Sequence, residues 1–172
     1  PPPPPPPPPA PPPPRAAVFC VRRQSRWSPG LMLAGDVYLF YDSKLAVKAF
    51  ELQDLYRFTR SGRSRSLEQI ERMLAGTSLC LSARYEGKLV AFCRVLTDFV
   101  FRASLWDVMV HPDHQGKGLG TSLIRYAIEH PAMQEIPLVV TYTSELAPFL
   151  APLGFEQKEG LLMLLRCPIE YS

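Results

Sequence analysis

Hydrophobic and polar positions change period several times along this chain, and each change marks an element. DVYLFYD (36–42) alternates and is rich in aromatic and β-branched residues, which predicts a strand. KLAVKAFELQDLYRFTR (44–60) has apolar residues at 45, 47, 49–50, 52 and 55–56, which suits an amphipathic helix with Asp42 or Ser43 as N-cap. SGRSRS breaks it. SLEQIERMLAG (66–76) predicts a second helix: Ser66 caps it, Gln69 completes a capping box and Gly76 stops it. Three strands follow over 78–85, 88–97 and 104–110. YEGK (85–88) makes a tight turn around Gly87, and TDFVFRA a longer connection. The next helix, 118–130, lines up Leu119, Leu123, Ile124, Ala127 and Ile128 and ends before Pro131. IPLVVTYT (136–143) is a continuous apolar strand, which predicts burial on both faces. In SELAPFLAPLG (144–154) Pro152 removes a helix hydrogen bond and crowds the carbonyl of Pro148, so a short or distorted helix is expected. FEQKEGLLMLLRC (155–167) reads as a closing hairpin turning near Gly160.

The order is β-α-α-β-β-β-α-β-α-β-β, an α/β (α+β) arrangement with helices on the faces of a mixed sheet. A chain of 172 residues favours one domain. Residues 1–14 are thirteen prolines and one alanine, a polyproline rod that cannot join a packed core. Residues 15–30 are basic and lack acids, either the stump of a transit peptide or a disordered basic arm. Residues 1–30 are therefore expected to form an N-terminal arm and 31–172 the folded domain. Cys20, Cys80, Cys93 and Cys167 form no CxxC pair; Cys80 and Cys93 fall in apolar strands, as buried reduced thiols would. No apolar run approaches the roughly 20 residues of a membrane span. A net charge of +3 is too small to argue for nucleic acid.

The candidate chemistry lies in WDVMVHPDHQGKGLGTSLIRYA (106–127). Gly116, Gly118 and Gly120 stand between the strand ending at Val110 and the helix that follows. Lys117 is followed by Gly118, so the Walker loop pattern fails; Gly-x-Gly-x-Gly also misses the dinucleotide fingerprint. The setting still suits an anion. Unpaired amides and the dipole of a helix N-terminus favour negative charge, and bare glycines let a ligand approach the backbone. Two linked phosphates would satisfy several amides at once, with Lys117 as a point charge.

QGKGLG (115–120) resembles the Gln/Arg-x-x-Gly-x-Gly/Ala signature of the GNAT superfamily of acyl-CoA-dependent N-acetyltransferases. The element order and the Gly-Phe at 154–155 are also similar to that superfamily. WDVMVHPDHQGKGLG looks most like its plastid and cyanobacterial group, which includes proteins called serotonin N-acetyltransferases or nuclear-shuttle-interacting acetyltransferases. The resemblance implies a GNAT fold with a mixed sheet of about seven strands. It also implies acetyl-CoA as acetyl donor and direct transfer to an amine acceptor, a protein lysine or N-terminus or a small arylalkylamine. Amides of Gln115, Gly116, Lys117, Gly118, Leu119, Gly120 and Thr121 would cradle the pyrophosphate. Val108, Met109 and Val110 would pair with the pantetheine arm through their backbones, and Thr143, Ser144 and Glu145 would add contacts. The protein would be a monomer or homodimer in a cyanobacterial cytoplasm or a plastid stroma, with no membrane.

The catalytic groups are less defined. Asp107 could relay a proton from the amine through water, or be a carboxylate bonding backbone amides near a strand bulge. Tyr142 could be a polar group of the cleft or a half-buried strand-end tyrosine. The tyrosine that the family carries four residues before Gly-Phe is Leu150 here, which donates no proton. That departure implies slower turnover, or a CoA-binding or protein-interaction module that is weak or inactive as a catalyst. Trp106, Phe99 and Phe101 could line an acceptor pocket or fill the core. Arg57, Arg60, Arg63 and Arg65 could face an acidic acceptor or form a solvated loop. His111 and His114 lack a third ligand and read as solvated loop residues, not a metal site. His130 suits the last turn of a helix, where a cation complements the dipole.

Overall fold

The structure, a computed structural model, describes residues 30–59, 62–142 and 147–157. Its strands are β1 (Gly30–Leu33), β2 (Asp36–Tyr41), β3 (Leu79–Tyr85), β4 (Lys88–Thr97), β5 (Ala103–Val110) and β6 (Val139–Thr141). Its helices are α1 (Ala49–Tyr56), α2 (Leu67–Gly76), α3 (Leu119–Ile128) and α4 (Ala147–Leu150). The sheet runs β1-β2-β3-β4-β5-β6. All neighbours are antiparallel except β5 and β6, which are parallel and joined through α3.

Each face of the sheet carries its own core. On one side α3 sets Leu119, Leu123, Ile124 and Ala127 against Leu81, Cys93, Val95 and Leu105. On the other, Leu52, Leu55 and Tyr56 of α1 and Ile70 and Leu74 of α2 meet Cys80, Phe92 and Met109. Fully burying one Leu or Ile contributes about 1.5–3 kcal/mol, so these two stripes hold the helices down. An ion pair ties α1 to the sheet: Arg84 of β3 meets Glu51 in the first turn of α1 at 2.6 Å and also donates to Ala46 O at 2.8 Å.

Several expected elements appear with shifted limits. The capping box of α2 is present, Ser66 accepting from Gln69 N–H and Gln69 from Ser66 N–H. Gly76 is the last helical residue and Thr77 the C-cap. The helix expected over 44–60 is two pieces. Ser43 caps a three-residue 3-10 turn at 44–46, the chain extends at Val47 and Lys48, and α1 starts at Ala49. The turn at Gly87 forms with Glu86 and Gly87 both at positive φ. The proline-bearing helix is short, as expected: α4 gives way to a 3-10 turn at 151–153. β6 spans three half-buried residues, not a long strand buried on both faces. β1 was not expected from the sequence. The closing hairpin expected at 155–167 lies mostly outside the described residues, as do Cys20 and Cys167; the described residues form six strands.

Candidate active site

Two irregularities in β5 create the site. The first is a bulge. Phe92 pairs with Met109 and Arg94 with Trp106, so Cys93 alone faces both Asp107 and Val108. Asp107 takes the strain, with φ at +51°, a conformation that aspartate tolerates better than most residues. The second is a splay. β6 pairs with β5 only at Ala103, Ser104 and Leu105, while β5 runs on to Val110. Among the described residues, the β5 edge that holds Val108, Met109 and Val110 therefore has no strand beside it beyond Leu105. Backbone groups on such an edge can pair with an extended ligand as an added strand would.

The glycine loop stands at the end of this edge. Gln115 donates from Nε2 to Val110 O at 2.9 Å and so ties the loop to β5. Gly116 and Gly118 have φ of +73° and +83°, and a Cβ on either would meet nothing within 4 Å. Glycine is needed there for its backbone, and the space before it is open to a ligand. Gly118 is the N-cap of α3, and the first intrahelical bond runs from Ser122 N–H to Gly118 O at 3.0 Å. The amides before Ser122 have no partner within the helix and point out of its positive end. Gly120 serves packing: a Cβ would lie 3.3 Å from Phe149 Cζ and 3.4 Å from Val110 Cγ2.

The loop is held from behind by a polar cluster that the sequence did not reveal. Lys117 Nζ meets Asp36 Oδ2 of β2 at 2.8 Å, and Tyr38 OH lies 2.9 Å from His114 Nδ1. The hydrogen bond from Lys117 holds the Asp36 carboxyl below its ordinary value and raises the Lys117 ammonium. Burial, then the nearby Lys117 charge, depresses His114. His114 and His111 are thus not the solvated loop residues expected: His114 packs among Tyr38 and Tyr85, and His111 meets Phe58 edge-on at 4.6 Å. His130 follows α3 and does not sit in its last turn; its Nδ1 caps a 3-10 turn and its Nε2 lies 3.2 Å from Asp42.

The α1–α2 side of the bulge carries charge. Asp107 Oδ2 meets Arg94 Nε at 2.5 Å and Oδ1 meets Arg65 Nη1 at 3.3 Å. The Arg65 guanidinium lies 4.3 Å from the centre of the Tyr56 ring. Burial and the Asp107 charge raise the Tyr56 hydroxyl well above its ordinary value, so it stays protonated. Trp106 donates its indole N–H to Ser104 Oγ at 2.7 Å and lies 5.4 Å, ring to ring, from Tyr142. Trp106 and Tyr142 thus come together at the splay, while the Asp107 side chain is paired with Arg65 and Arg94. Phe99 and Phe101 neither line it nor fill the core; both are exposed at the β4–β5 connection. Thr143, Ser144, Glu145 and Arg60 lie outside the described residues. Leu150 is 5% exposed and packs in the α3-side core. The sequence signal for Arg94 was a charge inside the apolar run AFCRVL; Arg65 had only its place in the arginine-rich loop.

Residues 46–144 match the acetyltransferase (GNAT) family. An uncharacterized N-acetyltransferase ycf52 of Pyropia yezoensis is 31% identical over 125 residues, 70% of each chain. GCN5-related N-acetyltransferase 1, chloroplastic, of Arabidopsis thaliana is 36% identical over 94 residues, 53% of this chain and 48% of that one. A solved GNAT-family structure from Xanthomonas campestris superposes with a TM-score of 0.68 at 25% identity, covering 76% of this chain and 94% of that one. Fold and sequence agree, and the chain belongs to the acetyltransferase (GNAT) family, with relatives of the plastid and cyanobacterial kind.

Proposed function

We propose that this enzyme transfers the acetyl group of acetyl-CoA to an amine. The observation that carries the reading is the open edge of β5 running into the positive-φ glycines before α3. The donor set suits this cofactor: amides of Gly116 to Thr121 for a pyrophosphate, the Gln115 N–H being already given to Pro112 O at 3.1 Å, and backbone groups of Val108, Met109 and Val110 for an amide-bearing arm. Thr143, Ser144 and Glu145 would add contacts. Bound acetyl-CoA supplies the activated acetyl group; the chain holds and orients it against the amine. A β5 amide at the bulge would polarise the acetyl carbonyl.

The protein also has to favour the neutral amine. Each Asp107 oxygen is engaged by a guanidinium, so taking a proton there would break an ion pair. In this reading Asp107 fixes the bulge and the two arginines. Tyr142, 53% exposed and with its ring 5.4 Å from that of Trp106, would be the hydroxyl that passes protons to water. The named chloroplastic relative supports a plastid or cyanobacterial setting.

The burial of Leu150 favours a second reading, a CoA-binding module that turns over slowly or not at all. The test is CoA-thiol release from acetyl-CoA with separate pools of arylalkylamines, polyamines and lysine-containing peptides, beside calorimetry of CoA binding. Release with one pool supports the enzyme. Tight CoA binding with silence in every pool supports the module, and absence of CoA binding refutes both.

A further inference from the structure

We propose that the acceptor amine carries an anionic group, a carboxylate or a phosphate, bound by Arg65 and Arg94 beside Asp107. The inference rests on the acetyl-transfer reading only for where the amine stands. The charge imbalance stands by itself. Two guanidiniums share one carboxylate, with Arg65, Arg94 and Asp107 side chains only 29%, 15% and 12% exposed. One arginine would neutralise Asp107 and hold the bulge; the second is surplus. Keeping an unmatched charge partly out of water is costly, which a purely structural role does not require.

The donors that remain show where an anion fits. A guanidinium has five N–H donors. Arg94 reaches Asp107 through Nε alone, and its Nη1 and Nη2 have no acceptor among the described residues. Arg65 uses Nη1, for Asp107 and the Met73 sulfur, and its Nε and Nη2 have no acceptor among the described residues. Both arginines are set in advance, Arg94 by Asp107 and Arg65 by the Tyr56 ring, so little further ordering is needed to bind. Arg94 pairs across the strands with Trp106, whose indole N–H is already spent on Ser104. Trp106 and Tyr142 therefore offer an apolar wall beside the cationic patch. A simple ammonium is repelled by that patch, whereas an amine that also bears an anion neutralises it.

The test uses matched amines that differ in the anion: tryptophan against tryptamine, phenylalanine against phenethylamine, and phosphoethanolamine against ethanolamine. Calorimetry with saturating CoA reads binding, and CoA-thiol release from acetyl-CoA reads kcat/KM. The anion-bearing member of at least one pair is expected to bind at least about tenfold tighter, the strength of a charge-assisted bond. That preference should weaken with salt and vanish in Arg65→Gln and Arg94→Gln, with Arg65→Lys restoring part of it. CoA binding by each variant reports that it is folded; if Arg94→Gln fails to fold, the more exposed Arg65 carries the test. The carboxylate and phosphate pairs separate the two anions. Equal binding within all pairs, no binding by any, or a preference that survives removal of Arg65 overturns the inference. Anion-dependent binding without acetyl transfer refutes the enzyme reading alone; transfer to amines that lack the anion, without preference within the pairs, refutes only this one.

Discussion

Gly62 lies where the connection from α1 to α2 passes over the Tyr56 ring, and one added methyl group tests how tightly that connection is packed. An ideal Cβ on Gly62 would stand 2.2 Å from Tyr56 Cδ1, 2.9 Å from Tyr56 Cγ and 2.7 Å from Thr59 Oγ1. Carbon atoms attract at about 3.5–4.0 Å, so the methyl group overlaps the ring by more than 1 Å, roughly. The ring has little room to yield. Tyr56 is 1% exposed, its hydroxyl bonds the Met73 sulfur at 3.3 Å, and Arg65 covers its face. Thr59 is also held: its hydroxyl donates to Tyr56 O at 2.8 Å and accepts from Gly62 N–H at 3.1 Å. Overpacking of this kind costs about 1–3 kcal/mol, and loss of one of these hydrogen bonds about 1 kcal/mol more. One effect opposes it. Gly62 is not at positive φ, so alanine fits its backbone and the narrower unfolded ensemble returns about 0.4–1 kcal/mol. The steric loss wins. Gly62→Ala is expected to lower stability by about 2 kcal/mol, seen as a fall of about 4–8 °C in Tm at this chain length. Urea and thermal unfolding of both proteins measure it. An unchanged or raised midpoint would refute the reasoning, because only the unfolded-state gain would then remain.

Gly118→Ala meets open space, so only the φ of +83° opposes it. It should cost about 1–2 kcal/mol in urea unfolding and weaken CoA binding by calorimetry, while Gly76→Ala, helical and equally open, should not reduce stability. Acid sensitivity follows from carboxyls depressed by folding. Asp36, held down chiefly by Lys117, and Glu51, held down chiefly by Arg84, stabilise the fold above their unfolded pKa values. That stability is lost as pH falls through their lower folded values. Urea midpoints should drop on acidification below about pH 4, and Asp36→Asn and Glu51→Gln should each flatten the drop. His114 adds a second window. Its depressed pKa stabilises the fold fully above its unfolded value of 6.5 and less as pH falls below it, so His114→Gln should reduce the slope there. Burial pushes the Cys80 thiol up to about 11 and raises the equally buried Cys93 thiol as well. Peptide mapping after alkylation at pH 8 should find both unmodified in the native protein and labelled in urea; native labelling would contradict the packing.

The elements that were legible in the sequence are those fixed by neighbours along the chain. Ser66 and Gln69 cap α2 from three residues apart, Pro148 and Pro152 disfavour a long helix, and Leu119, Leu123, Ile124 and Ala127 form one helical stripe. β1 was missed because it is only four residues long and its turn, Ala34-Gly35, lacks the Asn-Gly or Asp-Gly signal of a tight hairpin. The glycine loop was legible for a local reason too, since a strand, three bare residues and a helix follow one another. The charges around it were visible one by one but not as pairs. Lys117 meets Asp36 and Arg65 meets Asp107 only after the sheet and the α1–α2 connection assemble. Asp107 was obscured by a question of parity. Strict alternation along β5 puts Asp107 and Met109 on the side of Ala103 and Leu105, against α3. The bulge inserts one residue and reverses that order: Val108 and Val110 pack on the α3 side, and Met109 joins Phe92 beneath α1. That single extra residue leaves Asp107 between Arg65 and Arg94. Its cause is a register shift opposite Cys93, which hydrophobic pattern alone does not encode.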